Sequence, residues 1–283
     1  MSERITSPKN EKIRNLILLQ KRKKTRDEQE RFVTEGLRIF EDALRSAPDY
    51  IDQIYLSDSF SESGAWKEIS RRMDTSSGSS RALGGSLSKR VTIVSDDVFG
   101  RISETVTPQG ILCVMRMRRY EYAQMDRSRL LLLENIQDPG NLGTMIRTAE
   151  AAGMTGIIMS RDTADIYSPK VTRSTMGSIF RMPLLYTDDI CEMTDRLVKD
   201  GVTVYGAYLK DGIPYTSVSF KSPLAVLIGN EGNGISDSAI KKVSKKVYIP
   251  MHGQIESLNA AVAAAILMYR ASDFQVFKIQ KDE

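Results

Sequence analysis

The segment from Leu130 to Gly153 reads LLLLENIQDPGNLGTMIRTAEAAG and combines a run of leucines with a polar turn. Its four consecutive leucines are typical of a central strand that is buried on both faces of a parallel sheet. After the polar turn, apolar residues recur at helical spacing, at Leu142, Met145, Ile146, Ala149 and Ala152. The stretch therefore predicts a strand, a polar turn and a helix. Because ligands of open α/β sheets bind at the carboxyl ends of strands, we expect a site at this turn.

Two positions in the turn fit the start of the helix, and one arginine lies off the apolar stripe. Asp138 followed by Pro139 fits an N-cap and a first helical residue, and Asn141 is an alternative cap. Arg147 falls about two turns into the helix and away from its apolar face. Arg147 is therefore not a core residue.

Strands and helices alternate through the rest of the chain, which predicts an α/β fold with a mostly parallel sheet. The strand predictions after the first helix are GIIMS, VTVYGAYL, LAVLIG and KVYIPM, and a final long helix is predicted from about Ser257 to Asp273. Residues 1–118 are predicted to form a smaller α/β domain, 119–128 a polar linker, and 129–283 the second domain. A Gly/Ser-rich loop is predicted between Thr75 and Arg90.

The positive charge is confined to the first part of the chain. Residues 1–128 carry 23 Lys and Arg against 19 Asp and Glu, whereas residues 129–283 carry 17 of each. The densest basic run, KRKKTR, spans Lys21–Arg26. Such a run fits either a solvated helix end or a phosphate-binding surface, and both readings stay open.

Composition and cysteine use exclude several classes of protein. The 41% hydrophobic and 27% charged content are those of a soluble globular protein. The N-terminus has no apolar core typical of a signal peptide, and the ten-residue run AAVAAAILMY is too short to span a bilayer. Cys113 and Cys191 are isolated, so we expect no metal site and no redox pair. A cytoplasmic protein without membrane or metal partners is the expectation.

Two further polar segments follow predicted strands, at Gly229–Gly234 and Pro250–Asn259. The glycines of the first fit a tight turn, but neither a P-loop nor a dinucleotide-binding pattern is present. In the second, Ser257 fits a helix N-cap. His252 is the single histidine, and because it is paired with no nucleophile or carboxylate at a recognisable spacing, we expect it to be incidental.

Taken together, three segments resemble the signature motifs of one enzyme family. ENIQDPGNLGTMIRTAEAAG, LIGNEGNGIS and IPMHGQIESLNAAVAAAI occur in the order and spacing of the SpoU/TrmH RNA 2′-O-ribose methyltransferases of the SPOUT superfamily. STMGSIFRMPL resembles the family segment between motifs, and the opening residues resemble an L30e-like substrate-binding domain. One departure is Ala260–Ala261, where many members have Val-Ser.

The resemblance implies a fold, a cofactor and a set of site residues. The second domain would contain a deep trefoil knot and form a homodimer. S-adenosylmethionine would be held by Ala207, Gly229, Ile249, Met251 and Leu258. The catalytic residues would be Asn141, Arg147, Glu231, Ser257 and Asn259. In the basic first domain, the candidate RNA contacts are Lys9, Lys12, Lys21, Arg22, Lys23, Lys24 and Arg26.

The activity implied is methyl transfer from S-adenosylmethionine to a ribose 2′-hydroxyl of RNA, with 23S ribosomal RNA as the substrate. Transfer RNA as the substrate, and a non-catalytic RNA-binding role in ribosome assembly, stay open as alternatives. The family proposal makes Arg147 a general base. A guanidinium is a poor proton acceptor, however, and its planar fork also suits stabilisation of negatively charged oxygen.

Overall fold

The structure, a computed structural model, describes residues 3–75 and 87–272. Most of the predicted Gly/Ser-rich loop and Asp273, the predicted end of the last helix, lie outside these residues. The chain divides into two compact units. Unit 1 is Met1–Arg118 with Asp165–Arg181, and unit 2 is Arg119–Ala164 with Met182–Glu283.

Twelve strands occur in the described part of the chain. They are β1 (Glu3–Ile5), β2 (Arg31–Glu35), β3 (Ile51–Ser57), β4 (Val91–Val94), β5 (Ile111–Arg116), β6 (Arg129–Leu133), β7 (Gly156–Ser160), β8 (Leu184–Thr187), β9 (Thr203–Ala207), β10 (Ile213–Pro214), β11 (Leu224–Ile228) and β12 (Lys245–Tyr248).

The described residues also form eleven α-helices. These are α1 (Glu11–Lys21), α2 (Lys23–Gln29), α3 (Leu37–Ser46), α4 (Asp58–Ser61), α5 (Gly64–Thr75), α6 (Asp96–Ile102), α7 (Pro139–Ala151), α8 (Pro169–Ser174), α9 (Ile190–Lys199), α10 (Asp237–Ile240) and α11 (Ala260–Ala271). Short 3-10 turns lie at Pro48–Tyr50, Leu87–Arg90, Tyr122–Gln124, Ser178–Phe180 and Tyr215–Ser217.

Unit 1 is built on a five-stranded mixed sheet with the order β1-β4-β3-β5-β2. Strands β1, β4 and β3 are parallel, and β5 runs antiparallel to both β3 and β2. Ile13, Leu16 and Leu19 of α1 pack onto this sheet in one buried cluster with Val33 and Val114. The face of α1 that carries these three residues therefore covers the sheet.

Unit 2 is built on a seven-stranded sheet with the order β10-β12-β9-β11-β6-β7-β8, in which every neighbouring pair is parallel. This confirms the predicted parallel sheet. β6 lies near its centre, between β11 and β7, and Leu130–Leu133 are fully buried there, as a run apolar on both faces requires.

Residues 165–181 belong to unit 1, whereas the predicted domain boundary placed them in the second domain. They leave unit 2 after β7 and return to it before β8, but they pack within unit 1. The Phe32 and Tyr167 rings lie 4.6 Å apart, and Arg118 donates to the Phe180 carbonyl at 2.7 Å. These contacts join sequence-distant groups, so the alternation of strands and helices did not reveal them.

The two helices that flank the predicted site begin at defined caps. Of the two predicted starts of α7, Asp138 is the cap, and its carboxylate accepts the Asn141 N–H at 2.7 Å. The final helix begins at Ala260 and not at Ser257, because the Asn259 side chain accepts the backbone N–H groups that follow it. The predicted N-cap role of Ser257 is therefore wrong. No helix in the described ranges meets the length and hydropathy needed to cross a membrane.

Candidate active site

The predicted site lies where neighbouring strands of the unit 2 sheet end. Strands β12, β9, β11 and β6 are consecutive and parallel, so their carboxyl ends lie along one edge. We call residues 134–138, after β6, the first turn; residues 229–234, after β11, the second turn; and residues 249–259, after β12, the third segment. Because β11 pairs directly with β6, the first and second turns are neighbours. The Glu134 N–H, for example, donates to the Ile228 carbonyl at 2.9 Å.

The second turn is closed by its own hydrogen bonds. Asn230 and Gly234 exchange two backbone hydrogen bonds of 3.0 and 2.9 Å, and Gly234 has a φ of +68°. The Asn230 carboxamide oxygen accepts two further N–H groups within the turn. Its nitrogen donates across to the Asn135 carbonyl at 2.8 Å. Asn230, which the sequence analysis missed, therefore shapes the second turn and joins it to the first.

Glu231 links the second turn to the first turn and to α7. One carboxylate oxygen accepts the Asp138 N–H at 3.0 Å and the Asn141 amide at 3.1 Å. The other oxygen accepts the Gln137 N–H at 3.1 Å. Two backbone donors and one side-chain donor therefore converge on this single carboxylate.

Asn141 connects this group to the third segment. Its amide nitrogen donates to Glu231, and its oxygen accepts the Asn259 amide at 3.0 Å. The Asn259 oxygen in turn caps α11, accepting the N–H groups of Ala261 and Val262 at 2.9 and 3.3 Å. The chain Glu231–Asn141–Asn259 thus spans residues from all three predicted motifs, and the bonding fixes which way both amides point.

The electrostatics of this chain favour an ionised carboxylate. Partial burial alone raises the pKa of Glu231, but hydrogen bonds from the Gln137 N–H, the Asn141 amide and the Asp138 N–H outweigh it and lower the pKa below its ordinary value. An ionised carboxylate that already accepts three hydrogen bonds is a weak proton acceptor. Its chemical contribution is to hold Asn141 in one orientation.

The other two predicted catalytic residues do not join this chain. Arg147 is exposed on α7, and it has no hydrogen bond or ion pair to another described residue. It shares an exposed strip of the helix with Thr144 and Ala151. Ser257 is exposed in the third segment, two residues before the Asn259 cap. The structure therefore brings together Asn141, Glu231 and Asn259, and leaves Arg147 and Ser257 open to solvent.

The predicted cofactor residues follow three adjacent strands. Ala207 ends β9, Gly229 follows β11, and Ile249 follows β12. These three strands are neighbours in the sheet, so the three residues lie along the same edge. Ile249, Met251 and Leu258 are each half-buried, which leaves apolar surface available beside backbone groups. This combination fits a ligand bound through backbone groups and apolar contacts.

Gly229 is needed for the tight turn that the sequence predicts for this segment. A Cβ atom there would lie 2.2 Å from the Gly234 carbonyl carbon and 2.2 Å from the Ile235 nitrogen. The close approach that needs a glycine is therefore to the backbone at the other end of its own turn. At Gly232 of the same turn, the nearest atom to an added Cβ would be 3.6 Å away.

The predicted RNA contacts of unit 1 divide into exposed and buried residues. Lys9, Lys12 and the run 21–24 are exposed, although Lys12 pairs with Glu3 and Lys24 lies 3.8 Å from Glu28. Arg26 is 4% exposed, and its guanidinium donates to the Asp165 carboxylate at 2.9 Å and to the carbonyls of Leu19 and Gln20. The prediction that Arg26 contacts RNA is therefore wrong, because its donors are used inside the unit.

Metal-binding groups do not accompany this site. No cluster of three or more His, Cys, Asp or Glu side chains suited to a metal ion occurs in residues 3–75 or 87–272. His252 is exposed in the third segment.

Gln137, which the sequence analysis did not identify, contacts both Glu231 and Asp162. It donates its backbone N–H to Glu231, and its side-chain amide donates to the carbonyl of Asp162 at 2.5 Å. Its position directly before Asp138 and Pro139 is the sequence feature that could have identified it as a site residue.

Comparisons with known proteins give two family matches and one relative that aligns along most of the chain. Residues 128–269 match the model of the SpoU rRNA Methylase family, and residues 10–113 match an MRM3-like substrate binding domain. The chain is 36% identical over 267 residues to RlmP of Bacillus subtilis, a 23S rRNA (guanosine(2553)-2′-O)-methyltransferase, covering 94% of this chain and 98% of the relative.

Solved structures extend the likeness to three dimensions. An AdoMet-bound rRNA methyltransferase from Sinorhizobium meliloti matches with a TM-score of 0.80 and 28% identity, over 95% of this chain and 97% of the other. The structure of a TrmH-family protein from Porphyromonas gingivalis matches with a TM-score of 0.74 and 28% identity, over 91% of this chain and 95% of the other.

Proposed function

Since the chain belongs to the SpoU rRNA methylase family, we propose that it transfers a methyl group from S-adenosylmethionine to a ribose 2′-hydroxyl of 23S ribosomal RNA. The observation that carries this proposal is the hydrogen-bonded chain Glu231–Asn141–Asn259. It joins all three family motifs at the edge where parallel strands end, the place where open α/β sheets bind their ligands.

The residues along the sheet edge fit the methyl donor. Ala207, Gly229 and Ile249 offer backbone groups at three neighbouring strand ends, and Met251 and Leu258 offer half-buried apolar surface. S-adenosylmethionine, when bound there, supplies an activated methyl group. The protein's own task is to place the ribose hydroxyl in line with it, and such positioning supplies a large part of many catalysed rates.

Within this proposal, the amides and the arginine have different roles. Asn141 and Asn259, held by Glu231 and by the α11 cap, orient donor and ribose. Arg147 and Ser257 are exposed and therefore available to the substrate. The Arg147 guanidinium presents several N–H donors in a fixed plane, which suits oxygen atoms that gain negative charge as the methyl group transfers.

Unit 1 supplies RNA affinity in this proposal. The exposed side chains of Lys9, Lys12, Lys21, Arg22, Lys23 and Lys24 form a phosphate-contacting surface. Affinity from such a surface falls steeply with salt, because each phosphate contact releases counterions. We also propose an L30e-like fold for unit 1, whose residues 10–113 match the MRM3-like substrate binding domain.

Three further properties complete the proposal. The C-terminal part of unit 2 forms a deep trefoil knot, for which the alanine-rich α11 provides the close backbone approach. The protein is a homodimer through unit 2, whose second copy completes each site beside Arg147. It acts in the cytoplasm, where ribosomal RNA is made in bacteria such as Bacillus subtilis, the source of the relative described above.

The proposal is tested by methyl transfer from labelled S-adenosylmethionine to RNA. Purified protein is incubated with unmodified 23S ribosomal RNA, total transfer RNA or neither, and the product is mapped by resistance of the modified linkage to alkali. Label at an alkali-resistant linkage of 23S RNA is the expected result. Label confined to transfer RNA would show that transfer RNA, and not 23S RNA, is the substrate. The absence of transfer to any RNA, with donor binding intact, would refute the enzymatic function.

A further inference from the structure

A cavity of about 530 Å³ in unit 1 is unused by the proposed chemistry. It lies where β2 begins and β5 ends, next to the turn Pro48–Tyr50, and it is separate from the lysines of α1 and α2. Its volume is in the range of small-ligand sites, roughly 300–1,000 Å³. Its lining combines two arginines, an aromatic ring and carboxylates.

The two arginines of the cavity face each other across the sheet. Arg31 and Arg116 are direct partners in the antiparallel pairing of β2 with β5. Like charges at directly opposed positions destabilise a sheet, and the Asp52 carboxylate beside Arg31 offsets part of this repulsion. The Nε atoms of both are buried and, among the described residues, have no hydrogen-bond acceptor. Arg31 Nε lies 2.8 Å from an Asp52 oxygen, but not in hydrogen-bonding alignment.

An aromatic platform lies beside this pair. Tyr50 lines the cavity, and the Arg118 guanidinium carbon lies 4.7 Å from the centre of its ring. Arg116 donates to the Asp49 backbone carbonyl, which ties the end of β5 to the turn that carries Tyr50. A ring held in this way offers a stacking surface for an unpaired base.

The balance of charge decides between a phosphate and a base. Three arginines meet three carboxylates around the cavity: Arg31, Arg116 and Arg118, with Glu30, Asp49 and Asp52. The local formal charge is therefore zero, which does not favour a multiply charged phosphate. It favours a neutral ligand with acceptors on one edge for a guanidinium and N–H donors on another for a carboxylate.

Guanine is the RNA base with that arrangement. Its O6 and N7 accept two bonds from one arginine, the commonest base-specific contact made by arginine, and its N1–H and 2-amino groups donate to a carboxylate. Adenine has an amino group in place of O6 and cannot accept the same paired bonds. We propose that the cavity at Arg31, Tyr50 and Arg116 binds one unpaired guanosine of the RNA substrate, an inference that rests on the proposed RNA-directed function.

The first test changes the RNA and leaves the protein intact. Binding of the full-length protein to fluorescein-labelled UUGUU is compared, by fluorescence anisotropy, with pentamers that carry adenosine, inosine or 7-deazaguanosine at the centre. The phosphates are the same in all four, so contacts to exposed lysines cancel. We expect adenosine to weaken binding about tenfold or more, and loss of the 2-amino group or N7 to weaken it by about fivefold. Affinities within twofold of one another would overturn the proposal.

The second test changes the cavity. Arg116→Gln should remove the preference for guanosine, whereas Arg101→Gln, at an exposed arginine of α6, should retain it. Tyr50→Leu should weaken binding to every pentamer by about tenfold through lost stacking. An equal loss for all four pentamers in Arg116→Gln would identify a phosphate contact and refute base recognition. Thermal melting checks the fold, and if a variant does not fold, the pentamer series still decides.

Methyl transfer to 23S RNA is measured on the same protein preparation. Transfer without any guanosine preference in the pentamers would refute the cavity inference alone. Guanosine preference without transfer to any RNA would refute the proposed enzymatic function alone.

Discussion

Replacing Glu231 with glutamine tests whether this carboxylate positions Asn141. The native carboxylate accepts from two backbone N–H groups and the Asn141 amide, at 3.0 to 3.1 Å. A glutamine amide has one acceptor oxygen and one NH₂ donor. In either orientation of the amide, the NH₂ group faces at least one of these N–H donors. The variant therefore has nearly the parent's shape but cannot satisfy the same three donors.

The size of the effect follows from these contacts. The hydrogen bonds are exposed, so each is worth about 0.5–1 kcal/mol, and losing one or two of them, together with the unfavourable contact between the NH₂ group and an N–H donor, costs roughly 2 kcal/mol. For a protein of this size that lowers the melting temperature by roughly 5 °C. The effect on rate should be larger, because a displacement of about 1 Å in a positioning group can cost about 100-fold. Glu231→Gln should thus stay folded and lose most methyl transfer.

Single-turnover methyl transfer on saturating RNA separates a loss of positioning from a loss of RNA binding. Calorimetry measures the affinity for the methyl donor. The parent protein offers a parallel test. Because the folded-state pKa of Glu231 is lowered, its stabilisation is present above the ordinary pKa of glutamate, about 4.3, and is lost as pH falls through the lower folded value. Glu231→Gln should remove that acid-range component of stability. Transfer within twofold of the parent would show that Asn141 does not depend on Glu231.

The remaining predictions concern five positions. Gly229→Ala should unfold the second turn and abolish donor binding in calorimetry, because its Cβ would lie 2.2 Å from backbone, whereas Gly232→Ala should be nearly silent. Arg26→Gln should cost about 3–5 kcal/mol in denaturant unfolding, since it leaves a carboxylate unpaired in the interior. Lys24→Gln, at an exposed ion pair, should lower the free energy of unfolding by less than about 0.5 kcal/mol. Equal destabilisation by the two substitutions would contradict a structural role for Arg26. Arg147→Lys should melt like the parent yet lose about 10²- to 10³-fold in single-turnover transfer, and near-parental transfer would exclude a catalytic role.

The fold around the first turn could be predicted because its signals are local. A run of four leucines needs burial on both faces, and Leu130–Leu133 are in the centre of the parallel sheet. Asp138 followed by Pro139 carries its own cap, which forms within three residues. Periodicity and capping depend on neighbours in the sequence, so they can be read without the tertiary structure.

The errors have the opposite cause. Arg26 lies in a basic run that predicts a solvated surface, but its carboxylate partner is 139 residues away. The hydrogen bond between Glu231 and Asn141, which the sequence did not predict, joins residues that are 90 positions apart. The placement of residues 165–181 in unit 1 depends in the same way on partners in β2 and at Arg118. No local pattern encodes such pairings, and a single sequence gives charge and spacing without partners.

The hydrogen-bonded chain at the site also bears on the two roles left open for Arg147. Glu231 is the carboxylate bonded to Asn141, yet its oxygens already accept three hydrogen bonds and its pKa is lowered, so it is poorly suited to take the hydroxyl proton. A guanidinium stays protonated at neutral pH and is no better as a base. Under the proposed function, Arg147 would offer positive charge and planar donors to the reacting oxygen, which would lower the free energy of the developing alkoxide. The proton can then leave to water or to a phosphate of the RNA itself. Electrostatic stabilisation is therefore the role that we propose for Arg147.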